Sequence, residues 1–510
     1  MISILRYILY ILLSLPLLVY LRRKWLFSYW TRKGLQTAEP TNTKEVGLPE
    51  PEYVKVMHHY RRFKTKGEKH FGIYQRQSPS YVPINLDIIK SMLTTDFNHF
   101  RNHGFFSNVD DEPLTANLFN LNDDQWRVMR AKLTPTFTSG KMKMMFHTIV
   151  DRTSGLEELI STFATDKKPM EVKDVMSRFT TDVIGNVAFG IDCNTMKNPD
   201  SEFAYYAKQI MQLGHRNKGM IGNLLRSILP PWLFLKLGFK LMGKELGDFF
   251  FDLVANAIEY REKNNIVRKD FLHLMIQLKN LGKLSDDDKI VIKSSNGDGL
   301  TLKQVTAQCF VFFTAGFDTS STTMMFSLLE LALNPNVQDK LRDEINRVLD
   351  KHDGKITYEA VMEMEYLDKV IAESLRLFPP LPVLPRRCTE DYHVPGTNVV
   401  IEKGTAVSVP LYSIHHDEEY FPDPEKFDPE RFSEEFKSTR HPFAYMPFGE
   451  GPRACIGLRF GKLQSKVGLI SVIKNFKVTV NEKTTLPIKF YPSFLIFVAG
   501  GIWLDVEKLK

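Results

Sequence analysis

Of the four cysteines, Cys193, Cys309, Cys388 and Cys455, only Cys455 lies in a glycine-rich loop that leads into a helical pattern. The loop runs Phe448-Gly449-Glu450-Gly451-Pro452-Arg453-Ala454-Cys455-Ile456-Gly457, and apolar periodicity follows from Leu458 to Ile473. A lone cysteine is ordinarily a small buried hydrophobe. Here glycines let backbone N–H groups crowd the sulfur, and the positive end of the next helix dipole lies close by. Both favour a thiolate, the form that ligates a metal. Upstream, Ala315-Gly316-Phe317-Asp318-Thr319-Ser320 interrupts an apolar helical run from Val305 to Leu333. Glycine costs ~1 kcal/mol in a helix interior, and hydroxyls there compete for backbone carbonyls. The stretch is either a tolerated kink or a groove that justifies its weakness. Glu373 and Arg376 stand three residues apart on one helix face, and Trp126 and Arg130 four apart. The second pair turns an indole N–H and a guanidinium to the same side, where both can reach carboxylates.

These motifs carry a resemblance. F-x-x-G-x-R-x-C-x-G is the haem-binding signature of the cytochrome P-450 family, and Phe448, Gly451, Arg453, Cys455 and Gly457 meet every fixed position of it. The resemblance implies haem b, with Cys455 as the proximal iron ligand. A thiolate there pushes electron density toward oxygen and favours O–O cleavage. It further implies that Phe448 packs beside the sulfur, that Gly449 and Gly457 belong to the haem loop, and that Arg453, Trp126, Arg130 and Arg386 reach the haem propionates. A-G-x-D-T-S resembles the family's oxygen-activation groove, which makes Thr319 and Asp318 the catalytic pair that delivers protons. Glu373-x-x-Arg376 resembles the E-x-x-R motif, and Pro429-Glu430-Arg431-Phe432 the P-E-R-F that completes a structural network with Arg431. His103 stands where close relatives commonly carry Arg. The overall pattern is most similar to the insect family-six microsomal branch, from about residue 65 onward.

The elements that must position these residues read as mainly α, an α+β layout with a helix-rich body and small β-sheets, as in the cytochrome P-450 fold. Helical patterns cover residues 141–163, 200–220, 240–282, 301–334, 336–350 and 357–377, and β-type runs cluster at 385–409 and 475–504. Pro379, Pro380, Pro382 and Pro385 end the helix that carries Glu373 and Arg376. No repeat or low-complexity tract divides the chain. Residues 1–24 are expected to form a membrane anchor, 25–64 a membrane-proximal linker, and 65–510 one catalytic domain.

Ile2 to Leu21 form an apolar stretch broken by Arg6, Ser14 and Pro16, close to the ~20 residues a spanning helix needs. No A-x-A-like cleavage site follows. Arg22, Arg23, Lys24, Arg32 and Lys33 outweigh Arg6 and the amino terminus, which places the body on the cytosolic side of the endoplasmic reticulum membrane. Trp25, Tyr29 and Trp30 suit the lipid interface. In its place of a Pro/Gly-rich hinge the chain has only Pro40, Gly47, Pro49 and Pro51. The cysteines show no CxxC pair, which argues against disulfide stapling or structural zinc. A net charge of +7 with interleaved signs argues against nucleic-acid binding.

No G-x-G-x-x-G follows a strand, so electrons must come from outside. The family implies NADPH-cytochrome P-450 reductase as donor, with cytochrome b5 as a further partner. Arg127, Lys132, Lys141, Lys143, Lys462 and Lys466 are candidates for a basic docking face. Phe105, Phe106, Phe119, Phe310, Phe313, Leu381, Val383, Leu384, Phe494 and Phe497 are the pocket candidates by resemblance, about half of them expected to face the cavity. The reading is a monooxygenase that inserts one atom of molecular oxygen into a lipophilic substrate, a xenobiotic or an endogenous lipid or hormone, using NADPH electrons. The alternatives are a haem-thiolate isomerase or dehydratase that needs no reductase, and a non-catalytic haem-binding membrane protein.

Overall fold

The computed structural model describes residues 14, 17–18, 20–38, 50–75, 78–212, 242–285 and 299–509. Two compact units divide the chain. The first holds residues 1–104, 382–422 and 441–454, and the second holds 105–381, 423–440 and 455–510.

In the first unit a four-stranded sheet begins with a hairpin, His70–Gln75 antiparallel to Ser78–Pro83. Ser78–Pro83 then pairs in parallel with Ala406–Val409, through Ser80↔Ala406 and Tyr81↔Val407, and Leu384–Arg387 closes the sheet antiparallel to that strand. The sequence places its β-signals late in the chain, and the early hairpin is an addition to that reading. Its inner strand is stabilised by a partner more than 300 residues away, which local periodicity cannot register. The helix Glu52–Thr65 buries Tyr53, Val56, Tyr60 and Phe63, a stripe at spacings of three and four that faces the core. Trp30 corrects an expectation. It lies in the core beside Tyr81, Phe100 and Val407 and not at a lipid interface, because its indole N–H finds the Ile73 carbonyl at 3.0 Å inside the fold.

The second unit is helical around one long helix, Leu302–Leu333. Thr301 and Gln304 start it with a reciprocal capping box. It is apolar on most sides, as a helix packed by others on several faces must be, and it packs against Val172–Phe189 and Leu458–Asn475. Expected long helices are cut by local chemistry. Residues 141–163 form Ser139–Asp151 and Thr153–Asp166, and 357–377 form Tyr358–Glu363 and Glu365–Leu377. Residues 240–282 form Lys244–Asn264, ended by Asn265 in the left-handed region, and Phe271–Leu281, started by the Asp270 carboxylate. The 200–220 pattern gives Glu202–Gln212, and its remainder lies outside the described residues. The helix Val172–Phe189 escapes the sequence reading because it is buried on nearly every side, so no polar stripe marks its period. A three-stranded sheet, Met170–Glu171, Trp503–Lys508 and Phe476–Val480 in that order, completes the unit.

Among the described residues no helix is long and apolar enough to cross a membrane. The apolar Ile2–Leu21 stretch lies mostly outside them.

Candidate active site

The signature loop is built on left-handed glycines. Gly449 and Gly451 have φ of +69° and +74°, and a Cβ on Gly451 would fall 1.9 Å from the Leu93 carbonyl oxygen. Only glycine meets both demands. Gly451–Arg453 then makes a short 3-10 turn. The turn buries Arg453, whose Nε donates to the Arg101 carbonyl at 2.7 Å. Phe448 is half-buried.

Cys455 follows, and Gly457 caps the helix Leu458–Asn475. The Gly457 N–H bonds the sulfur and draws the thiol toward ionisation, as does the charge of Arg130. The surrounding protein mass outweighs both and holds the thiol above its ordinary pKa. Even so, Cys455 is the exposed cysteine, whereas Cys193, Cys309 and Cys388 are buried. A sulfur crowded by protein yet reachable from outside, with a backbone donor already on it, is arranged as a ligand and not as core filling.

Two more cations share this character. Trp126 and Arg130 lie on Asp123–Leu133, and burial lowers the pKa of Arg130 against the pull of the Cys455 charge. Arg386 is buried in the strand Leu384–Arg387, where desolvation pushes its pKa down to about 10. It donates from Nη1 to the Pro385 carbonyl at 2.8 Å, while its Nε has no hydrogen-bond acceptor among the described residues. A guanidinium buried without a carboxylate is costly, so the site favours an anionic group supplied by something other than protein. A haem propionate has that chemistry, and the donor set present fits the cofactor.

The long helix changes character at its middle. Its Ala315 is exposed and Thr319, one turn later on the same face, is half-buried, within a helix otherwise largely enclosed. Gly316 lets Val172–Phe189 close in from behind, since a Cβ there would meet the Ile184 Cδ1 at 2.5 Å. Thr319 Oγ1 donates to the Ala315 carbonyl at 2.7 Å. The Asp318 carboxylate accepts from Lys173 Nζ at 2.8 Å, and the same ammonium donates to the Asp318 carbonyl, Ser321 Oγ and Thr322 Oγ1 at 2.9, 2.8 and 2.7 Å. Sequence reasoning missed Lys173. It lies 145 residues from Asp318, and no spacing rule connects them. Lys173 also lines a cavity of about 380 Å³ together with Phe317, Met325, Tyr491 and Phe497.

The Glu373–Arg376 pair forms as expected and is wholly enclosed. Arg376 Nε and Nη2 reach the Glu373 carboxylate at 2.7 and 2.8 Å, and Arg376 Nη1 donates to the Pro424 carbonyl at 2.8 Å. Arg431 approaches Glu373 at 3.3 Å. Glu430 turns away to Lys340 and Lys369. Glu330, on the long helix, was not anticipated. Burial first, then the charge of Glu373, pushes its carboxyl up to about 7, with Arg376 opposing.

Of the aromatic candidates, Phe105 stacks on Phe119 at 5.3 Å and meets the edge of Phe494 at 5.4 Å, with Phe494 partly exposed. Phe310 and Phe313 are instead core, packed on Phe250 at 5.0 and 5.6 Å. The docking candidates also divide. Lys466 is buried, donating to Asp368 at 2.7 Å and to the Val361 carbonyl, so it offers no surface charge. Lys143 is engaged by Glu359.

The family model for cytochrome P450 matches residues 48–500, and the chain belongs to that family. It is a haem-thiolate monooxygenase by that membership. Among its relatives in Drosophila melanogaster, the probable cytochrome P450 6a13 is 42% identical and covers 99% of each chain. The probable cytochrome P450 6a14 is 41% identical over 95% of this chain and 96% of its own length. Cytochrome P450 6a2 is 40% identical over 98% of this chain and 99% of its own.

Proposed function

We propose that this enzyme oxygenates lipophilic small molecules at the endoplasmic reticulum membrane, with Cys455 as its iron ligand and a separate NADPH-dependent reductase as its electron source. The observation that carries the reading is Cys455 itself, an accessible sulfur with the Gly457 N–H already bonded to it. By the family resemblance Arg386, Arg130, Trp126 and Arg453 would hold the cofactor's carboxylates, and Arg386 would gain most because its burial is otherwise uncompensated. Bound haem supplies the oxygen activation that a thiolate ligand promotes. The chain's own contribution is to orient and to deliver protons. Thr319 Oγ1 holds a proton on the open face of the long helix. Asp318, one residue away, is the relay's second member, its carboxylate fixed by Lys173. Overall, substrate, oxygen, NADPH and a proton give hydroxylated product, water and NADP+. The aromatic set Phe105, Phe119 and Phe494 favours apolar, ring-bearing substrates. The apolar run Ile2–Leu21 and the basic Arg22, Arg23 and Lys24 support an anchor with the body on the cytosolic side. Cytochrome b5 is a second electron donor in this scheme.

The test is Cys455→Ser in the reduced, carbon monoxide-treated protein. The strongly red-shifted Soret band of a thiolate adduct is expected in the wild type and absent in the variant. Its persistence would move the ligand to another cysteine.

A further inference from the structure

We infer that Trp30–Ala38 is a rigid lock between the membrane anchor and the first unit, so that this unit is presented to an anionic phospholipid surface at one fixed tilt. The inference rests on the membrane reading above and adds to it how the orientation is set.

Residues 20–27 are helical. They present Tyr20, Leu21 and Trp25 to the outside, as Leu17 and Leu18 do before them, and they carry Arg22, Arg23 and Lys24. Exposed apolar side chains followed at once by cations match acyl chains below anionic headgroups. At 1.5 Å per residue the five residues from Trp25 to Trp30 span only ~8 Å. Trp30 is then fully buried in the first unit's core, with Leu35 in the same cluster.

Its seat is specific. A Cβ on Gly72 would fall 2.3 Å from the Trp30 ring, so only glycine leaves room for the indole. Trp30 Nε1 donates to the Ile73 carbonyl at 3.0 Å. The Tyr74 hydroxyl accepts from the Trp30 N–H at 3.3 Å and donates to the Phe27 carbonyl at 2.8 Å, which clamps the turn at Ser28 from both sides. Glu402 accepts from the Tyr29 hydroxyl at 2.9 Å and pairs with Lys33. Residues 36–38 extend the sheet edge, with the Gly72 N–H on the Gln36 carbonyl at 2.8 Å and the Ala38 N–H on the Gly72 carbonyl at 2.9 Å. The Pro/Gly positions of residues 40–51 therefore fall after the lock, with Glu52–Thr65 packed in the same unit beyond them. The lock thus lies between the anchor and that stretch.

The full-length haem protein in oriented phosphatidylcholine–phosphatidylserine multilayers provides the test, read by polarised absorption of the haem. The wild type is expected to float with vesicles and to show strong dichroism. Two variants release the lock: Trp30→Ala, and a Gly-Ser-Gly-Ser insertion between Phe27 and Ser28 that breaks the Tyr74 bridge to Phe27 but leaves the indole's contacts with Gly72 and Ile73 in place. Both should still float and keep the thiolate carbon monoxide band, with dichroism falling to the isotropic value. Wild-type dichroism in the insertion variant would overturn the lock, as would an isotropic wild type that floats. A wild-type chain that does not float overturns the membrane reading and the lock with it.

Discussion

Two polar clusters in the same unit, one around Glu373 and one around Asp318, are treated in opposite ways by the fold. Glu373 and Arg376 are fully buried, and the carboxylate's acceptors are taken up by Arg376, Arg431 and the Asp428 N–H. Asp318 and Thr319 sit on a helix of similar depth, yet both are only partly enclosed, and the Thr319 hydroxyl is satisfied by its own helix. A buried network whose charges are paired stabilises one arrangement. A hydroxyl whose present bond is local and replaceable is free to bond something that arrives. The difference separates a closed scaffold from an open polar surface more sharply than residue type does, since each cluster pairs a carboxylate with a cation.

The comparison breaks first if the scaffold is dispensable. Arg376→Ala leaves Glu373 charged and enclosed, and removing one partner of a buried ion pair costs about 3–5 kcal/mol. Loss of most folded haem protein is expected on expression, read by the carbon monoxide difference spectrum. Normal yield and an unchanged urea midpoint would show the pair to be incidental.

At the open surface the opposite pattern is expected. Thr319→Ala keeps a helix-compatible residue, so haem content should hold while product per NADPH falls by about 100-fold, the low side of what a positioned proton donor contributes. Oxygen then leaves as peroxide or water. Lys173→Met should lower the same ratio less, because Asp318 loses the ammonium that holds it, and Lys173→Arg should restore it. Coupling that stays at the wild-type value in Thr319→Ala removes the relay, and in Lys173→Met removes the tether.

A pH-dependent effect is expected at Glu330, on the long helix and within reach of the Glu373 charge. Its folded pKa of about 7 stands above the ordinary 4.5, so the folded state binds the extra proton between those values and stability falls as pH rises through that window. Above pH 7 the loss is complete. At 1.36 kcal/mol per unit it amounts to about 3 kcal/mol at most. Glu330→Gln removes the ionisable group, so the variant should resist urea better than wild type at pH 8 and match it near pH 4.5. Equal midpoints at both pH values would place Glu330 in an ordinary environment.

Much of the site was legible because its geometry is local. The glycines around Cys455, the four-residue step from Trp126 to Arg130 and the three-residue step from Glu373 to Arg376 are short-range relations that a helix or tight turn converts directly into shared faces. The long helix was legible as well, to within a residue at either end, since its apolar length is written in one segment. Misreadings arose where burial decides the outcome. Lys466 reads as surface charge and is buried on Asp368, and Trp30 reads as an interfacial aromatic and is core.

By itself the sequence determined the family, the haem loop and the identity of the candidate ligand, because each depends on residues adjacent in the chain or one helical turn apart. Only the tertiary structure decided that Lys173 holds Asp318, that Glu330 lies within reach of the Glu373 charge, and that Ser78–Pro83 pairs with Ala406–Val409. Those contacts join positions tens to hundreds of residues apart. Their energies come from desolvation and close approach, which exist only once the chain has folded.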